Sequence, residues 1–211
     1  MHILLATALI LPLTACASVN QQLSREGTLI DSTARDWRLV ATGDDQVKLR
    51  NWRSTFVAAL AAARRSGAGP KIDAGGALLR PDTALPRPHL PNGNYACRVT
   101  KLGAKSAGLL NYVTYPAFTC RVRQQGTLQG FAKLNGSQRQ VGLIFPSDAL
   151  RGVFLGTLML GNEDRAMQYG GDPDRDIAGY VERIGPARWR ILIPQPTFES
   201  KMDVIELVPA G

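Results

Sequence analysis

With 211 residues, 45% of them hydrophobic, and a formal net charge of +8, the chain is long enough to bury a real core and reads as one domain with appendages. Its basic side chains are mostly arginines, scattered rather than gathered into the tract of a nucleic-acid-binding arm, so nucleic acid is not expected as a partner. His2 and His89 are the only histidines, which leaves little room for an imidazole metal site and makes any Ser-His-Asp arrangement depend on His89. That residue sits in Pro86-Arg87-Pro88-His89-Leu90-Pro91, an extended connector.

Residues 1–15 are almost wholly apolar, too short for a lasting transmembrane helix, and end in Leu13-Thr14-Ala15-Cys16. This resembles a bacterial lipoprotein signal peptide. The resemblance implies cleavage before Cys16, a lipid on that cysteine as the membrane contact, and, because Ala17 is not an aspartate, a place on the periplasmic face of the outer membrane. The segment before the apolar run lacks Lys and Arg, so a secreted or soluble periplasmic protein is the alternative. Residues 16–34 are polar and aperiodic and read as a tether. A single domain is expected over 35–209.

Asp36 can cap a short helix, and Gly43-Asp44-Asp45 stops it and caps another. In the second, Leu49, Trp52, Phe56, Ala59, Leu60 and Ala63 share one face, and Arg64, Arg65 and Gly67 close it. Helix is thus expected within 36–66, followed by a proline-rich irregular crossing over 70–93 and antiparallel strands over 94–208.

Strand candidates are 94–102, 109–115, 118–123, 127–134, 137–145, 152–160, 165–169, 177–184, 188–194 and 202–208, with Asn135-Gly136 as the clearest hairpin signal because a tight turn there needs positive φ at both residues. Many short strands joined by tight turns favour a closed sheet, since closure removes sticky edges. The expected fold is α+β: an N-terminal helical segment packed on an antiparallel β-barrel of about eight strands, with a β-sandwich as the alternative. Tyr95-Ala96-Cys97-Arg98-Val99 and Phe118-Thr119-Cys120-Arg121-Val122 place aromatic, cysteine and valine on one face and arginine on the other. Both cysteines therefore face one interior. With Cys16 lipidated they are left to pair in an oxidising compartment, buried free thiols being the alternative.

Asp36-Trp37-Arg38, Tyr95-Ala96-Cys97-Arg98-Val99 with Lys101-Leu102-Gly103, Tyr115-Pro116 with Cys120, Gly136-Ser137-Gln138-Arg139, Phe154-Leu155-Gly156-Thr157, Asp176-Ile177-Ala178-Gly179 with Glu182-Arg183-Ile184-Gly185, and Glu199-Ser200 before Val204-Ile205-Glu206-Leu207 span nearly all of the chain from Asp36 onward. On these residues the chain resembles the bacterial family known as domain of unknown function 4893. The resemblance implies no activity.

Candidate chemistry centres on the charge-dense stretch 154–185. Asp172, Asp174 and Asp176 alternate in a tight loop, as calcium ligands do, but the calcium-loop pattern wants glycine where Ile177 stands and glutamate where Arg183 stands. Neither a metal nor a cofactor is expected. Glu163, Asp176 and Glu182 could supply the carboxylate pair of a hydrolase acting on envelope glycan, yet Arg165, Arg175 and Arg183 lie beside them as ion-pair partners. A binding or interaction module is the favoured reading, with a small anionic ligand or a protein as the partner, and a purely structural envelope protein as a further alternative. The candidate polar cluster is Arg98, Tyr112, Tyr115, Lys133, Arg139, Arg175, Asp176, Glu182 and Arg183.

Overall fold

A computed structural model describes residues 34–211. The expected signal peptide, Cys16 and nearly all of the expected tether lie outside the described residues. Asp36 caps a 3-10 turn, Trp37–Leu39, by accepting the Arg38 N–H at 3.0 Å. The next cap is one residue earlier than expected: Thr42 Oγ1 accepts the Asp45 N–H, opening α1, Gly43–Arg50. Asp44 and Asp45 complement the positive end of that helix instead. A break at Asn51 starts α2, Trp52–Ala63, and Leu49, Trp52, Phe56, Ala59, Leu60 and Ala63 are all buried. Gly67 ends the run at φ +89.

Helical turns continue into the stretch expected to be irregular, with α3, Gly69–Ala74, and a 3-10 turn, Gly76–Leu79. Pro70 is no obstacle, because it stands in the first turn where its missing N–H would have no partner. Ile72, Leu78 and Leu79 are buried there.

Nine strands follow: β1 (Gly93–Ala104), β2 (Tyr112–Thr114), β3 (Phe118–Gln125), β4 (Leu128–Lys133), β5 (Gln138–Pro146), β6 (Arg151–Leu160), β7 (Asp176–Gly185), β8 (Arg188–Pro194) and β9 (Ser200–Pro209). From β3 to β9 each pairs antiparallel with its successor, β1 pairs with β3, and β1 also pairs with β9 from Tyr95↔Pro209 to Ala104↔Ser200. That last pairing closes an eight-stranded antiparallel barrel and excludes the sandwich. The disulfide Cys97–Cys120 joins neighbouring strands inside it.

Two strand expectations change because strands need free edges. Residues 165–169 are not a strand, since β6 already has β5 on one edge and β7 on the other. Residues 109–115 shrink to β2, because β3 occupies that edge of β1 as far as Cys97 and the remainder pairs only at Thr100, Lys101 and Leu102. At the Asn135-Gly136 turn only Gly136 has positive φ (+88). Asn135 instead accepts the Thr119 N–H with its side chain, which suits the wider loop between Lys133 and Gln138.

The wall is buried on both faces over much of its circumference. Inside lie Tyr95, Cys97, Val99, Cys120, Val122, Phe131, Phe154, Val181, Trp189, Ile205 and Leu207. Outside, α2 lays Phe56, Ala59 and Ala63 on Leu102, Leu192, Met202 and Val204. Trp37, Ala41 and Leu49 cover Leu143, Phe145, Val153 and Leu155 from another side. Double burial explains why β6 and β8 read as continuous apolar runs rather than alternating ones.

Candidate functional site

Inward positions on β1 run Tyr95, Cys97, Val99, Lys101: three side chains that fill the interior and then, near one end, an ammonium. The same switch occurs on β4, where Phe131 is followed two residues on by Lys133, and on β5, where Gln140 and Gln138 succeed the inward Ile144. On β9, Asp203 continues the series Leu207, Ile205. Four strands thus turn polar at the same end of the barrel, and that end opens into a cavity of about 280 Å³ lined by Val99, Lys101, Tyr115, Phe118, Lys133, Gly136, Ser137, Gln138, Gln140 and Glu199. A smaller pocket of about 20 Å³ lies deeper, against Lys101, Gln138, Gln140, Asp176 and Asp203. Beyond these the interior is filled mainly by apolar side chains, with Gln129 buried towards the opposite end and donating to the Leu90 carbonyl.

The two lysines differ in their company. Lys101 Nζ stands 3.1 Å from Asp203 Oδ2 and 3.1 Å from Glu199 Oε2, and donates to Gln138 Oε1. Burial pulls Lys101 down, but those two carboxylates more than offset it and hold its ammonium above the ordinary value. Asp203 is itself fixed by the Ser200 hydroxyl.

Lys133 has no carboxylate partner among the described residues. Its Nζ donates to the carbonyls of Asn135 (2.8 Å) and Gln138 (2.7 Å) and lies 3.6 Å from the Phe118 ring centre. Burial pushes it down to about 8, with the charges of Arg139 and Lys101 acting in the same direction. Close by, the buried Gln140 Oε1 has no hydrogen-bond partner. An uncompensated cation and an unused acceptor in one concave site can hold a small anion that also brings a donor.

Of the nine residues expected to cluster, Tyr115 and Lys133 line this mouth. Arg139 sits at its edge, where Nη2 donates to the carbonyls of Leu160, Gly161 and Glu163. Asp176 lines the smaller pocket beside Lys101, Gln138, Gln140 and Asp203, and the other five are elsewhere. Arg98 is exposed on the outer face of β1. Tyr112, on β2, donates no bond into the mouth; its hydroxyl accepts from Thr114 and its ring faces Lys71. Arg175 pairs with Glu163 at 2.9 Å. Asp176 accepts the Gly170 N–H, and burial raises its carboxyl.

Glu182 forms a buried ion pair with Arg190 and a second with Arg151, and Arg183 donates to the Pro86 carbonyl. Asp176 and Glu182 stand six positions apart on β7, roughly 20 Å along a strand, too far to act as a hydrolytic pair. Asp172 accepts the Asp174 N–H to shape its own loop. Among the described residues, no three His, Cys, Asp or Glu side chains gather where they would hold a metal ion.

Lys101, Gln138, Gln140, Glu199 and Asp203 were not among the expected site residues. The signal for four of them was available: each is a polar residue in phase with an inward apolar series on its own strand. Glu199 had no such signal, since it lies in the turn before β9.

The architecture is thus a small antiparallel barrel with a helical outer cover, a filled interior and one polar, cationic mouth. The profile of the family described as domain of unknown function DUF4893 matches residues 37–207, and the chain belongs to that family. No curated protein and no solved structure matches the chain.

Proposed function

We propose that this protein is an envelope lipoprotein, tethered through Cys16 on the periplasmic face of the outer membrane, whose barrel mouth binds a small anionic ligand. The observation that carries the binding reading is Lys133: a buried ammonium, without a carboxylate partner among the described residues, at the wall of an open cavity of about 280 Å³. Burying a charge unpaired is costly, and a ligand anion repays that cost. The disulfide Cys97–Cys120 agrees with an oxidising compartment. The filled interior limits the ligand to something that sits in the mouth.

Amide NMR spectra of the full chain test the reading. Adding a library of small polar anions should move the signals of Val99, Gly136, Ser137 and Gln138. If none of the anions moves them while a partner protein crosslinks to the same face, the mouth serves a protein instead. Replacing Cys16 by serine should release the protein into the soluble periplasmic fraction; membrane association that survives the change would remove the lipid anchor.

A further inference from the structure

The mouth already contains one carboxylate that is held differently from every other acidic group around it. Glu199 stands at the rim, its side chain 43% exposed, and reaches in to Lys101 Nζ at 3.1 Å. Its backbone has φ +67, a left-handed conformation that a non-glycine residue adopts only when its surroundings impose it. The preceding turn is tied down by Lys105, which donates to the carbonyls of Pro196 and Thr197. Lys101 does not depend on Glu199. Without it, the ammonium keeps the buried Asp203 carboxylate and the Gln138 amide oxygen. Glu199 is therefore an exchangeable carboxylate placed on the wall of the cavity that Lys133 also lines.

Gln140 supplies the second half of the argument. Its side chain is 3% exposed, lines both the mouth and the deeper pocket, and its Oε1 accepts no hydrogen bond. A buried acceptor left unused costs free energy that a ligand N–H or O–H recovers.

We infer that the mouth takes a small carboxylate bearing an N–H donor, its carboxylate bridging Lys133 and Lys101 in exchange for Glu199 and its donor reaching Gln140 Oε1. This rests on the reading of the mouth as a ligand site. Lys133 and Lys101 recognise the charge, Gln140 selects for the donor, and Glu199 competes for the same cation and so sets how tightly the ligand is held. The aromatic rings of Tyr115 and Phe118 flank the cavity and suit an apolar body between the two polar groups.

Three probes that differ by one feature each test this in the full chain. N-acetylglycine carries both the carboxylate and the N–H; levulinate has a methylene in place of the N–H; N-methylacetamide lacks the charge. Titration followed at the Gly136, Ser137 and Gln138 amides should give N-acetylglycine a dissociation constant about tenfold lower than either of the other two. Lys133→Gln should weaken it by about tenfold, and Glu199→Gln, a rim change that leaves the core intact, should tighten it about threefold.

Equal affinity for N-acetylglycine and levulinate overturns the donor. Tighter binding that is indifferent to both Lys133→Gln and Glu199→Gln overturns the carboxylate exchange. If an uncharged probe moves the mouth amides and the carboxylates do not, the mouth stands as a site and the ligand class is wrong. If no probe and no member of a wider anion library moves them, the ligand reading itself falls.

Discussion

Arg190 and Glu182 face each other across β8 and β7 with Nη2–Oε2 at 2.6 Å and Nε–Oε2 at 2.8 Å, and neither side chain is exposed to solvent. The pair lies outside the barrel, under the helical cover. Arg190 Nη1 donates to the carbonyls of Ala77, Leu78 and Arg80, and its guanidinium stands 5.5 Å from the Phe56 ring centre. One arginine thus fastens the crossing segment and α2 to the wall. Arg151 adds a second ion pair to Glu182 at 2.7 Å.

Breaking a buried pair from one side leaves a charge without a partner, which costs about 3–5 kcal/mol. Arg190→Met should therefore lower the unfolding free energy by about that amount. Combining it with Glu182→Leu should cost less than the sum of the two single changes, because neither charge is then stranded. Urea unfolding of the three variants measures the coupling; strict additivity would show that the two residues act independently.

The disulfide joins residues 23 apart in sequence. On the chain-entropy estimate, closing a loop of that size contributes about 3 kcal/mol. Replacing Cys97 and Cys120 together by serine should move the denaturation midpoint down accordingly, and a reductant should do the same to the native protein but not to the double variant. Alkylation under denaturing, non-reducing conditions should label neither Cys97 nor Cys120.

Gly142 and Gly156 are direct partners on β5 and β6, both facing inward. A Cβ on Gly142 would lie 2.5 Å from Gly156 Cα, and one on Gly156 would lie 2.8 Å from Gly142 Cα. The bare pair lets the two backbones approach where the sheet bends into a barrel. Gly142→Ala and Gly156→Ala should each destabilise by about 3 kcal/mol or more, since the obstruction is backbone and cannot rotate away. Retained stability in either variant would show that the strands can separate at no cost.

Lys133 sits at about 8 in the folded protein against an ordinary value of 10.5. Between those values the unfolded chain holds more protons than the folded one, so stability rises with pH. The contribution is fully present above 10.5 and is lost as pH falls through about 8. Lys105, also lowered chiefly by burial, adds in the same sense, so the readout is the difference between the native protein and Lys133→Met. The native protein should gain more stability between about pH 7.5 and pH 10 than the variant does. Over the same range its affinity for a carboxylate probe should fall, as the ammonium that binds it is lost. Parallel pH profiles would place Lys133 outside the binding mechanism.

Much of this was legible along the chain. The α2 face, the Asp36 cap and the inward phase of Cys97 and Cys120 follow from local periodicity, because a helix or strand repeats its orientation at fixed intervals whatever surrounds it. The same rule, carried past Val99 to Lys101 and past Phe131 to Lys133, marks where the interior turns polar. What periodicity cannot give is the partner of a charge. Arg175, Glu182 and Arg183 were expected to join Lys133, and each is instead consumed by an ion pair or a carbonyl elsewhere.

The sequence by itself determined the class of element over most of the chain, the two faces of the strands, the pair of inward cysteines and the family. Only the tertiary structure decided that β1 meets β9, because hydrogen bonding between the first and last strands depends on how the intervening sheet twists and bends, not on either strand alone. It alone also brought Glu199, from a turn with no periodic signal, against Lys101, far away in the sequence. The mouth is built from four strands and a turn that become neighbours only when the sheet closes, which is why its lining could be read residue by residue and its shape could not.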